Sequence, residues 1–535
     1  MRESSGGDAV SPHGAAVAGH EAGEAQATDH ADLRRSSASG SLYLMAREVV
    51  GLVLRFGGLL VLTRLLGPDR YGVYAGAVAL IVIPVFAAQL ATETYLIRMP
   101  TEPSKRVYDE AFTLLMLSSV VVVAVTLGIT VAFPAILADE RMLHAFQVMM
   151  VSVPFNVVWA PAQAQLERAF QYRKLAMLEL SGDVVLYTIA VVGVVVFDLG
   201  YWGPVIGLII WQIWLLLGSL GLARYRPALR LSRAGAREHL SYGLRYVASV
   251  STLIARGSLN PLIVGQFAGT AAVGVVALAT QLVEALSAFS RVVWRTGAVA
   301  IGRLQNDARL LARAVEENIS VVLIAMGTAM AVFIGVAPVL VDLVFGPRWK
   351  PVLPLLPYLC AAALVWAAGS VFVIVMTTKL RMGPVAVAQA LRLGLVVAAA
   401  PGLIHAADLR GYALAECVSA LAALVLCWAL HRELPELQQR FLIPLLVVFV
   451  PPLFMHEVAL VVRPLLFAPA VIALLVPAVR ARLGGYLSLL TELVARRRGA
   501  AAEEPATAPE PSAPEPSVPE PPVADWPAGQ PIGGR

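Results

Sequence analysis

Charged residues are scarce in this sequence. Asp, Glu, Lys and Arg make up 14% of the 535 residues, while hydrophobic residues make up 58% and the mean hydropathy is +0.74. Soluble globular domains carry about 25% charged residues, and a soluble domain of this composition would leave far too much apolar surface in water. The composition therefore excludes a soluble protein and predicts one embedded in a membrane.

Cysteine is rare, and the common catalytic motifs are absent. The three cysteines, Cys360, Cys417 and Cys427, lie within apolar stretches and form no CxxC pair, which argues against a disulfide framework or a zinc site. The sequence has no HExxH, Walker A or GxSxG motif, so it offers no place for ATP hydrolysis or a covalent nucleophile. We therefore expect neither an enzyme nor a cofactor or metal.

Long apolar runs dominate what is present. Fourteen stretches of mostly apolar residues follow one another, each of roughly the 20 residues that a helix needs to cross a bilayer. The predicted spans lie near 43–65, 72–97, 110–133, 142–165, 176–197, 203–223, 240–264, 272–294, 316–345, 352–377, 384–404, 411–430, 441–460 and 464–483. This pattern predicts an all-α integral membrane protein.

Lysine and arginine in the short connections predict the orientation. With a cytoplasmic amino terminus, the inner segments hold about four times as many basic residues as the outer turns. Positive charge is retained on the cytoplasmic side, so we expect both termini there. The net charge of +5 then reflects this bias and the attraction of cations to anionic membrane lipid, and it does not indicate a nucleic-acid partner.

Two polar segments flank the spans. Residues 1–41 are rich in Ala, Gly, Ser and His, and residues 486–535 contain a run of Pro and Glu from Pro509 to Pro522. Segments of this composition cannot bury enough apolar surface to fold. We predict that both are disordered cytoplasmic tails.

A weak internal repeat indicates two related halves. Four residues after the first span recur 202 residues later, after the seventh: Gly67, Gly72, Val73 and Ala75 match Gly269, Gly274, Val275 and Ala277. Glycine permits the positive φ of a tight reversal. We predict two pseudo-symmetric six-helix bundles, residues 42–230 and 231–432, followed by two additional spans in residues 433–485.

Two such bundles can enclose a central cavity and alternate its access to the two membrane faces, as in many secondary transporters. Every outer connection is shorter than roughly fifteen residues, so there is no exterior domain of the kind that an active site on a long loop needs. This argues against membrane-bound polymerases and glycosyltransferases.

Three arginines lie deep within the predicted spans: Arg55, Arg256 and Arg392. A charge at that depth costs several kcal/mol unless it faces protein or water. Arginine suits a phosphate because its planar donors grip two oxygens at once and it keeps its charge when desolvated. We therefore predict that these arginines bind substrate in a net positive cavity. The alternative is that Arg55 pairs with Glu48 or another carboxylate and Arg256 with Glu284, only tying helices together.

Two carboxylates, Asp183 and Glu284, lie equally deep. They are candidates for coupling transport to a proton or sodium ion, because a buried carboxylate can exchange protons or bind a cation in the working pH range. Structural pairing is the alternative. Trp211 and Trp214, three residues apart in the sixth span, can stack on sugars or pack at the lipid interface.

Four segments carry a resemblance to a known family. These landmark segments are TRLLGPDRYGVYAGAVAL (Thr63–Leu80), LIR (Leu96–Arg98), QLERAFQYRKLAMLEL (Gln165–Leu180) and VFGPRWKPVLPLL (Val344–Leu356). They resemble the landmarks of Wzx-type polysaccharide flippases of the multidrug/oligosaccharidyl-lipid/polysaccharide exporter superfamily, in particular the branch that serves exopolysaccharide, colanic acid and teichuronic acid export. The resemblance covers about residues 41–485.

The resemblance implies a V-shaped bundle of twelve core helices, often with two more, in the bacterial inner membrane. It implies a flippase that moves an undecaprenyl-diphosphate-linked oligosaccharide between leaflets, with a polysaccharide polymerase and a chain-length regulator as candidate partners. It also implies a cationic cavity, although no individual charged residue is carried over from the family. For Arg64, Gly67, Tyr71 and Gly72, which match the first landmark segment, we expect an architectural role.

Three other functions fit the same pattern. A cation-coupled multidrug exporter would favour a cavity of carboxylates and aromatic rings. A peptidoglycan-precursor flippase would share the spans and the cationic cavity. A non-transporting membrane scaffold would need no charges within its spans, so the deep arginines and acids argue against it.

Overall fold

The structure is a computed structural model that describes residues 12–137, 139–304, 307–379, 381–437, 442–458, 463 and 465–468. Some side chains within these ranges lie outside the description, among them those of residues 12–49, 256 and 288–300. All described residues belong to one compact unit, Met1–Ala470.

Every regular element among the described residues is helical. The α-helices are α1 (Pro12–Gln89), α2 (Thr92–Ile97), α3 (Lys105–Ala132), α4 (Glu140–Met149), α5 (Ser152–Val158), α6 (Ala160–Arg168), α7 (Tyr172–Val195), α8 (Trp202–Leu222), α9 (Arg233–Arg303), α10 (Ala308–Leu340), α11 (Leu356–Thr378), α12 (Gly383–Ser419), α13 (Ala423–Glu433) and α14 (Leu442–Leu453). Short segments of 3₁₀- or π-helix lie at Pro134–Ile136, Val341–Phe345, Pro347–Val352, Ala420–Ala422 and Met455–Glu457.

Nine helical segments of the described chain are long and apolar enough to cross a membrane. Two of them, Val50–Ile97 with 48 residues and Gly383–Glu433 with 51, have more than twice the roughly 20 residues that one crossing needs. Helices occupy the positions of the first twelve predicted spans, and α14 falls within the thirteenth. The all-α membrane fold is thus confirmed, whereas most of the fourteenth predicted span, 464–483, lies outside the described residues.

Glycines bend the two longest helices at equivalent places. Gly67 in α1 has φ 68° and ψ 175°, and Gly269 in α9 has φ 81° and ψ 174°. This backbone conformation is essentially restricted to glycine. The internal repeat therefore reflects one backbone reversal that is used twice, 202 residues apart.

The helices pack as two sets. Helices α1–α8 contact mainly one another, α9–α14 do the same, and the two sets meet chiefly where α1 packs against α9. We call these sets the first and the second bundle. Helix α11 lies at the centre of the second bundle, where it contacts α9, α10, α12, α13 and α14. The residue boundaries given above for the two bundles stay predictions.

The two ends of the molecule differ in what joins the bundles. We call the end that holds Gly67 and Gly269 the glycine end, and the end where the chain passes from α8 to α9 the linker end. At the linker end the carboxylate of Asp109, which is fully buried, accepts hydrogen bonds from Tyr225 Oη at 2.9 Å and Ala228 N at 3.2 Å. The linker is therefore held on helix α3 of the first bundle.

The fourth predicted span, 142–165, lies within the candidate span Glu140–Arg168 but is divided among α4, α5 and α6. Pro161 stands in the first turn of α6, where a residue without an N–H is tolerated. Helix α1 begins at Pro12, within residues 1–41; the disordered cytoplasmic tail expected there stays a prediction. Its alanines are strong helix formers, and the sequence has no proline between Pro12 and Pro68 to interrupt the helix.

Candidate substrate cavity

A cavity of about 540 Å³ lies between the two bundles. Its walls are the limbs of α1 and α9 on either side of their glycine bends, with one side chain from α7. Most of the lining is apolar. The polar side chains that line it are Arg55, Tyr71, Tyr74, Tyr187, Thr280, Gln281 and Glu284. The two segments of α1 and the two equivalent segments of α9 thus form the walls of the cavity.

Arg55 is the only positively charged residue among the described side chains of the lining. Its Nε donates a hydrogen bond to Asp183 Oδ2 at 3.3 Å. The Arg55 side chain is 49% exposed and that of Asp183 only 9%. The guanidinium therefore faces the cavity while the carboxylate stands behind it in the wall.

Two glycines of α1 make room for this arrangement. A Cβ built on Gly51 would lie 3.2 Å from Arg55 Nη2, and one built on Gly58 would overlap the ring of Tyr187. Tyr187 in turn donates from its hydroxyl to the backbone oxygen of Arg55 at 3.4 Å. Since Asp183 and Tyr187 are four residues apart, they lie on one face of α7, and that face holds the Arg55 segment.

Glu284 joins this cavity to a second one. Together with Thr280 it lines both the central cavity and a smaller cavity of about 230 Å³ that is bounded by α9, α10, α11 and α12. The α9 segment that carries these two residues is therefore the partition between the cavities.

Arg392 lies in this smaller cavity, within the second bundle. Its Nη2 is 3.6 Å from Glu416 Oε2, and its guanidinium carbon is 4.1 Å from the centre of the Trp366 ring. Tyr412 also donates a hydrogen bond to Glu416, at 3.1 Å. Arg392 is thus neutralised by an acid and covered by an aromatic ring, and it is not among the residues that line the central cavity with Arg55.

The predicted site residues are therefore brought together only in part. Arg55, Asp183 and Glu284 surround one cavity, and the recorded partner of Arg55 is Asp183. Arg256 lies on α9, but its side chain is outside the described part. The described charges at the central cavity show no positive excess, because Arg55 faces Asp183 and Glu284 adds a negative charge. The predicted net positive charge thus depends on Arg256.

Trp211 and Trp214 of α8 line neither of these two cavities. Trp214 Nε1 donates to Ser181 Oγ at 3.0 Å, and the Trp211 indole lies against Gly182, where a Cβ would be 2.8 Å from its Nε1. Both rings pack on α7, which favours the packing interpretation over sugar stacking.

At the glycine end the bundles touch backbone to backbone. A Cβ on Gly72 would overlap the carbonyl oxygen of Thr270, and a Cβ on Gly274 would overlap that of Pro68. These are the second pair of repeated glycines, and here they are required for close approach rather than for a positive φ. The contact closes the central cavity at this end.

A charged cluster lies over the same contact. Arg141 donates from Nη1 and Nη2 to the carboxylate of Asp69 at 2.8 and 3.1 Å and from Nη2 to Asp139 at 2.8 Å. Thr270 Oγ1 donates to Asp69 at 2.8 Å. Burial opposes ionisation of Asp139, but hydrogen bonds and charge from Arg141 outweigh it and hold the pKa of Asp139 below its ordinary value. This cluster could not be found from the sequence alone, in which the charged pair of the LLGPDRYG landmark is its only signal.

Landmark segments meet at this end. Trp349, which is fully buried, donates from Nε1 to the Thr63 carbonyl at 3.1 Å and packs edge-on against Tyr71 with 5.6 Å between ring centres. Tyr71 also donates to Gln281 Oε1 at 3.4 Å. The first and fourth landmark segments are therefore the two sides of one closure, which explains the architectural role expected of Tyr71 and Gly72.

The other two landmark segments meet at the linker end. The guanidinium of Arg168 donates to four carbonyl oxygens, those of Leu96, Ile97, Met99 and Thr101, at 3.0–3.1 Å. These carbonyls belong to the end of α2 and the turn after it, where backbone acceptors lack helical partners. Arg168 thus fixes the connection between the second and third predicted spans.

No group of three or more His, Cys, Asp or Glu side chains that could hold a metal ion occurs in the part of the chain that the structure describes. The arrangement at the central cavity offers an anion contact through Arg55 and a cation contact through Glu284.

Comparison with known proteins gives a family and a fold. A family model described as polysaccharide biosynthesis protein matches residues 61–354. The lipopolysaccharide biosynthesis protein WzxC of Escherichia coli (strain K12) is 25% identical over 211 residues, which are 39% of this chain and 43% of that protein. The alignment thus spans less than half the length of this relative.

Two solved structures share the fold. The lipid II flippase MurJ in an inward closed conformation matches with a TM-score of 0.62 and 12% identity over 79% of this chain and 97% of that one. An inward-facing multidrug resistance MATE family transporter of the MOP superfamily matches with a TM-score of 0.52 and 15% identity over 75% of this chain and 96% of that one. At such identities the likeness concerns the fold alone.

Proposed function

Because the chain belongs to the polysaccharide biosynthesis protein family, whose model matches more than half of its residues, we propose that it is a flippase for undecaprenyl-diphosphate-linked oligosaccharide repeat units. The resemblance to Wzx-type flippases is confirmed by this family match and by the relation to WzxC. The observation that carries the proposal is a cavity between two bundles with a half-exposed arginine in its wall.

In this mechanism the diphosphate binds at Arg55. The Nε of Arg55 is engaged by Asp183, and the Nη groups are the donors that can contact two phosphate oxygens at once. A cavity of about 540 Å³ is within the roughly 300–1,000 Å³ of small-molecule sites. It therefore suits a diphosphate with its first sugars, not a finished polymer, while the prenyl chain stays in lipid.

Movement between leaflets requires the glycine end to open. We assign the periplasmic side to this end, following the predicted orientation in the bacterial inner membrane. The Gly72–Gly274 contact and the Asp69–Arg141–Thr270 cluster would then separate while the linker end closes, which is alternating access around a central site.

Ion coupling is assigned to Glu284 in preference to Asp183. Glu284 lines both cavities, so a proton or cation bound there changes the charge of the central cavity and of the smaller cavity in the second bundle. Asp183 is engaged with Arg55. The candidate partners remain those of a polysaccharide assembly system, a polymerase and a chain-length regulator.

Flipping can be tested in proteoliposomes. A fluorescent short glycan on a prenyl diphosphate is incorporated in both leaflets, and a membrane-impermeant quencher reports how fast the inner pool becomes accessible. We expect the purified protein to accelerate quenching and Arg55→Gln to remove most of that acceleration. Asp198→Asn, an exposed position in the α7–α8 turn, is the matched control. A rate equal to that of protein-free vesicles would refute the proposal.

A cation-coupled multidrug exporter is the second candidate function. The observation in its favour is that three tyrosines and Glu284 line the cavity while its described charges show no positive excess, since aromatic rings and carboxylates bind organic cations. Transport of a cationic dye that is lost in Glu284→Gln and retained in Arg55→Gln would support the exporter and contradict the flippase.

A further inference from the structure

Arg55 contacts its acid partner through only one of its donors. The Nε of Arg55 bonds to Asp183 Oδ2 at 3.3 Å, and no other acid is recorded within ion-pair range of Arg55 among the described side chains. A guanidinium has five N–H donors in a rigid fork. The Asp183 contact therefore fixes the plane of the fork through Nε and leaves the Nη groups of this cavity-lining residue for another acceptor.

The carboxylate is also a negative charge close to the place where a phosphate would bind. It is 9% exposed and belongs to the wall, not to the cavity lining. This buried negative charge, whose Oδ2 is 3.3 Å from Arg55 Nε, weakens the attraction of Arg55 for an anion, because charges interact strongly where water is scarce. Asp183 thus has two effects on a bound diphosphate. It orients Arg55, and it weakens the binding of the diphosphate to Arg55.

A transport site needs such a balance, since a ligand must bind well enough to enter and weakly enough to leave. We propose that Asp183 is a positioning residue that orients Arg55 for a diphosphate and lowers the affinity of the site so that the diphosphate is released after translocation. This rests on the proposed function, because it assumes that the anion at Arg55 is the diphosphate of the substrate.

The test measures binding of farnesyl diphosphate to the full-length protein in lipid nanodiscs, with geranylgeraniol as the uncharged control ligand, and flipping of the fluorescent substrate. Asp183→Asn keeps an oxygen that accepts from Arg55 Nε and removes the negative charge. We expect its dissociation constant for farnesyl diphosphate to fall about tenfold. The KM for flipping should fall with it, and the maximal rate should also fall as release slows.

A residue with a merely structural role would give a different result, because its loss would weaken binding and lower the yield of folded protein. Asp198→Asn is the control for an acid-to-amide change elsewhere in the first bundle. Arg55→Lys keeps the charge but loses the fork, so it should bind farnesyl diphosphate more weakly than the wild type.

The outcomes separate the inference from the function on which it rests. If Arg55→Gln loses farnesyl diphosphate and Asp183→Asn binds it no more tightly than the wild type, the role of Asp183 is overturned and the flippase proposal stands. If Arg55→Gln binds it as the wild type does, the diphosphate site is elsewhere and both fail.

A second variant covers the case in which Asp183→Asn does not fold. Gly51→Ala places a Cβ about 3.2 Å from Arg55 Nη2, so the guanidinium must shift while Asp183 and all charges stay. We expect severalfold weaker binding of farnesyl diphosphate with normal folding. If Gly51→Ala binds farnesyl diphosphate as tightly as the wild type does, the orientation of Arg55 does not affect diphosphate binding, and the proposed role of Asp183 is overturned.

Discussion

His239 is a buried histidine at the linker end, six residues after the start of α9. Its Nε2 is 2.8 Å from Thr92 Oγ1, and its ring centre is 4.5 Å from that of Tyr95. It therefore joins the beginning of α9 to α2 of the first bundle. Burial lowers the pKa of His239 to about 4, so the ring is neutral at pH 7.

The low pKa of His239 predicts an acid-sensitive stability. The unfolded chain has a histidine pKa of about 6.5 and so binds more protons than the folded chain between pH 6.5 and 4. Stability is therefore lost as the pH falls through this window, by about 2 kcal/mol at pH 5. Thermal unfolding in detergent at pH 7.5 and 5 should show a smaller acid loss in His239→Gln than in the wild type.

The matched control is His431→Gln, because His431 is exposed near the end of α13 at the same end of the molecule. It should lose as much stability on acidification as the wild type. An equal acid loss in His239→Gln would contradict a buried neutral His239.

At the residue scale, the sequence predicts which charged residues lie deep within the membrane, but it does not predict which residues they contact. A charged residue inside an apolar span is costly unless it faces protein or water, so it indicates a functional site. This is how the sequence singles out Arg55, Asp183 and Glu284. Arg55 and Asp183 are 128 residues apart, so their contact depends on how α1 packs against α7, which no local pattern encodes. Arg392 was predicted to bind substrate with Arg55 because both lie deep in predicted spans. It lies in the smaller cavity instead, because of how α12 packs in the second bundle.

At the element scale the repeated glycines have two separate functions. Gly67 and Gly269 provide a backbone conformation, and Gly72 and Gly274 provide close approach between bundles. The sequence predicted the first function because it is local. The second needed the structure, since a close approach is visible only when both helices are in place.

The close approach of the two bundles at Gly72 predicts that one added methyl group will separate them. In Gly72→Ala the added Cβ overlaps the Thr270 carbonyl, so the bundles must move apart at the glycine end. We expect faster labelling of a cysteine placed at Thr280, in a background without the three native cysteines, by an impermeant maleimide added from the periplasmic side.

Gly128→Ala on α3 is the control, because a Cβ there meets no atom within 4 Å. It should label like the parent. A labelling rate in Gly72→Ala that equals that of Gly128→Ala would show that the glycine contact does not limit access to the cavity from this end.

At the scale of the whole molecule, the fold class follows from composition and span length, while the shape of the site does not. Fourteen apolar runs and a repeat were enough to predict a two-bundle membrane protein, while the landmark segments carried the resemblance to a family. The charge of the cavity was not predictable, because it depends on which deep residues share a wall and which pair with acids, as Arg55 does with Asp183 and Arg392 with Glu416.

The charged cluster at the glycine end reaches the second bundle through the side chain of Thr270. Asp69, Asp139 and Arg141 belong to the first bundle, and Thr270 is the member that the second bundle contributes to this cluster, through Asp69 at 2.8 Å and Asp139 at 3.2 Å. Arg141, in the first turn of α4, ties the two carboxylates together and donates from Nη2 to Thr270 Oγ1 at 3.3 Å. Thr270 is therefore the position at which the link between bundles can be removed while the cluster of the first bundle stays intact.

Thr270→Val keeps the volume of the side chain and removes the hydroxyl that bonds the two carboxylates. A hydrogen bond to a charged group contributes about 1.5–3 kcal/mol, and we expect about 1 kcal/mol at this partly exposed cluster, or a roughly fivefold shift toward the state open at the glycine end. The maleimide assay at position 280 should show this rise. Thr130→Val, whose hydroxyl bonds within the first bundle, should leave labelling unchanged. An equal rate in the two variants would mean that the Thr270 hydroxyl does not hold the bundles together.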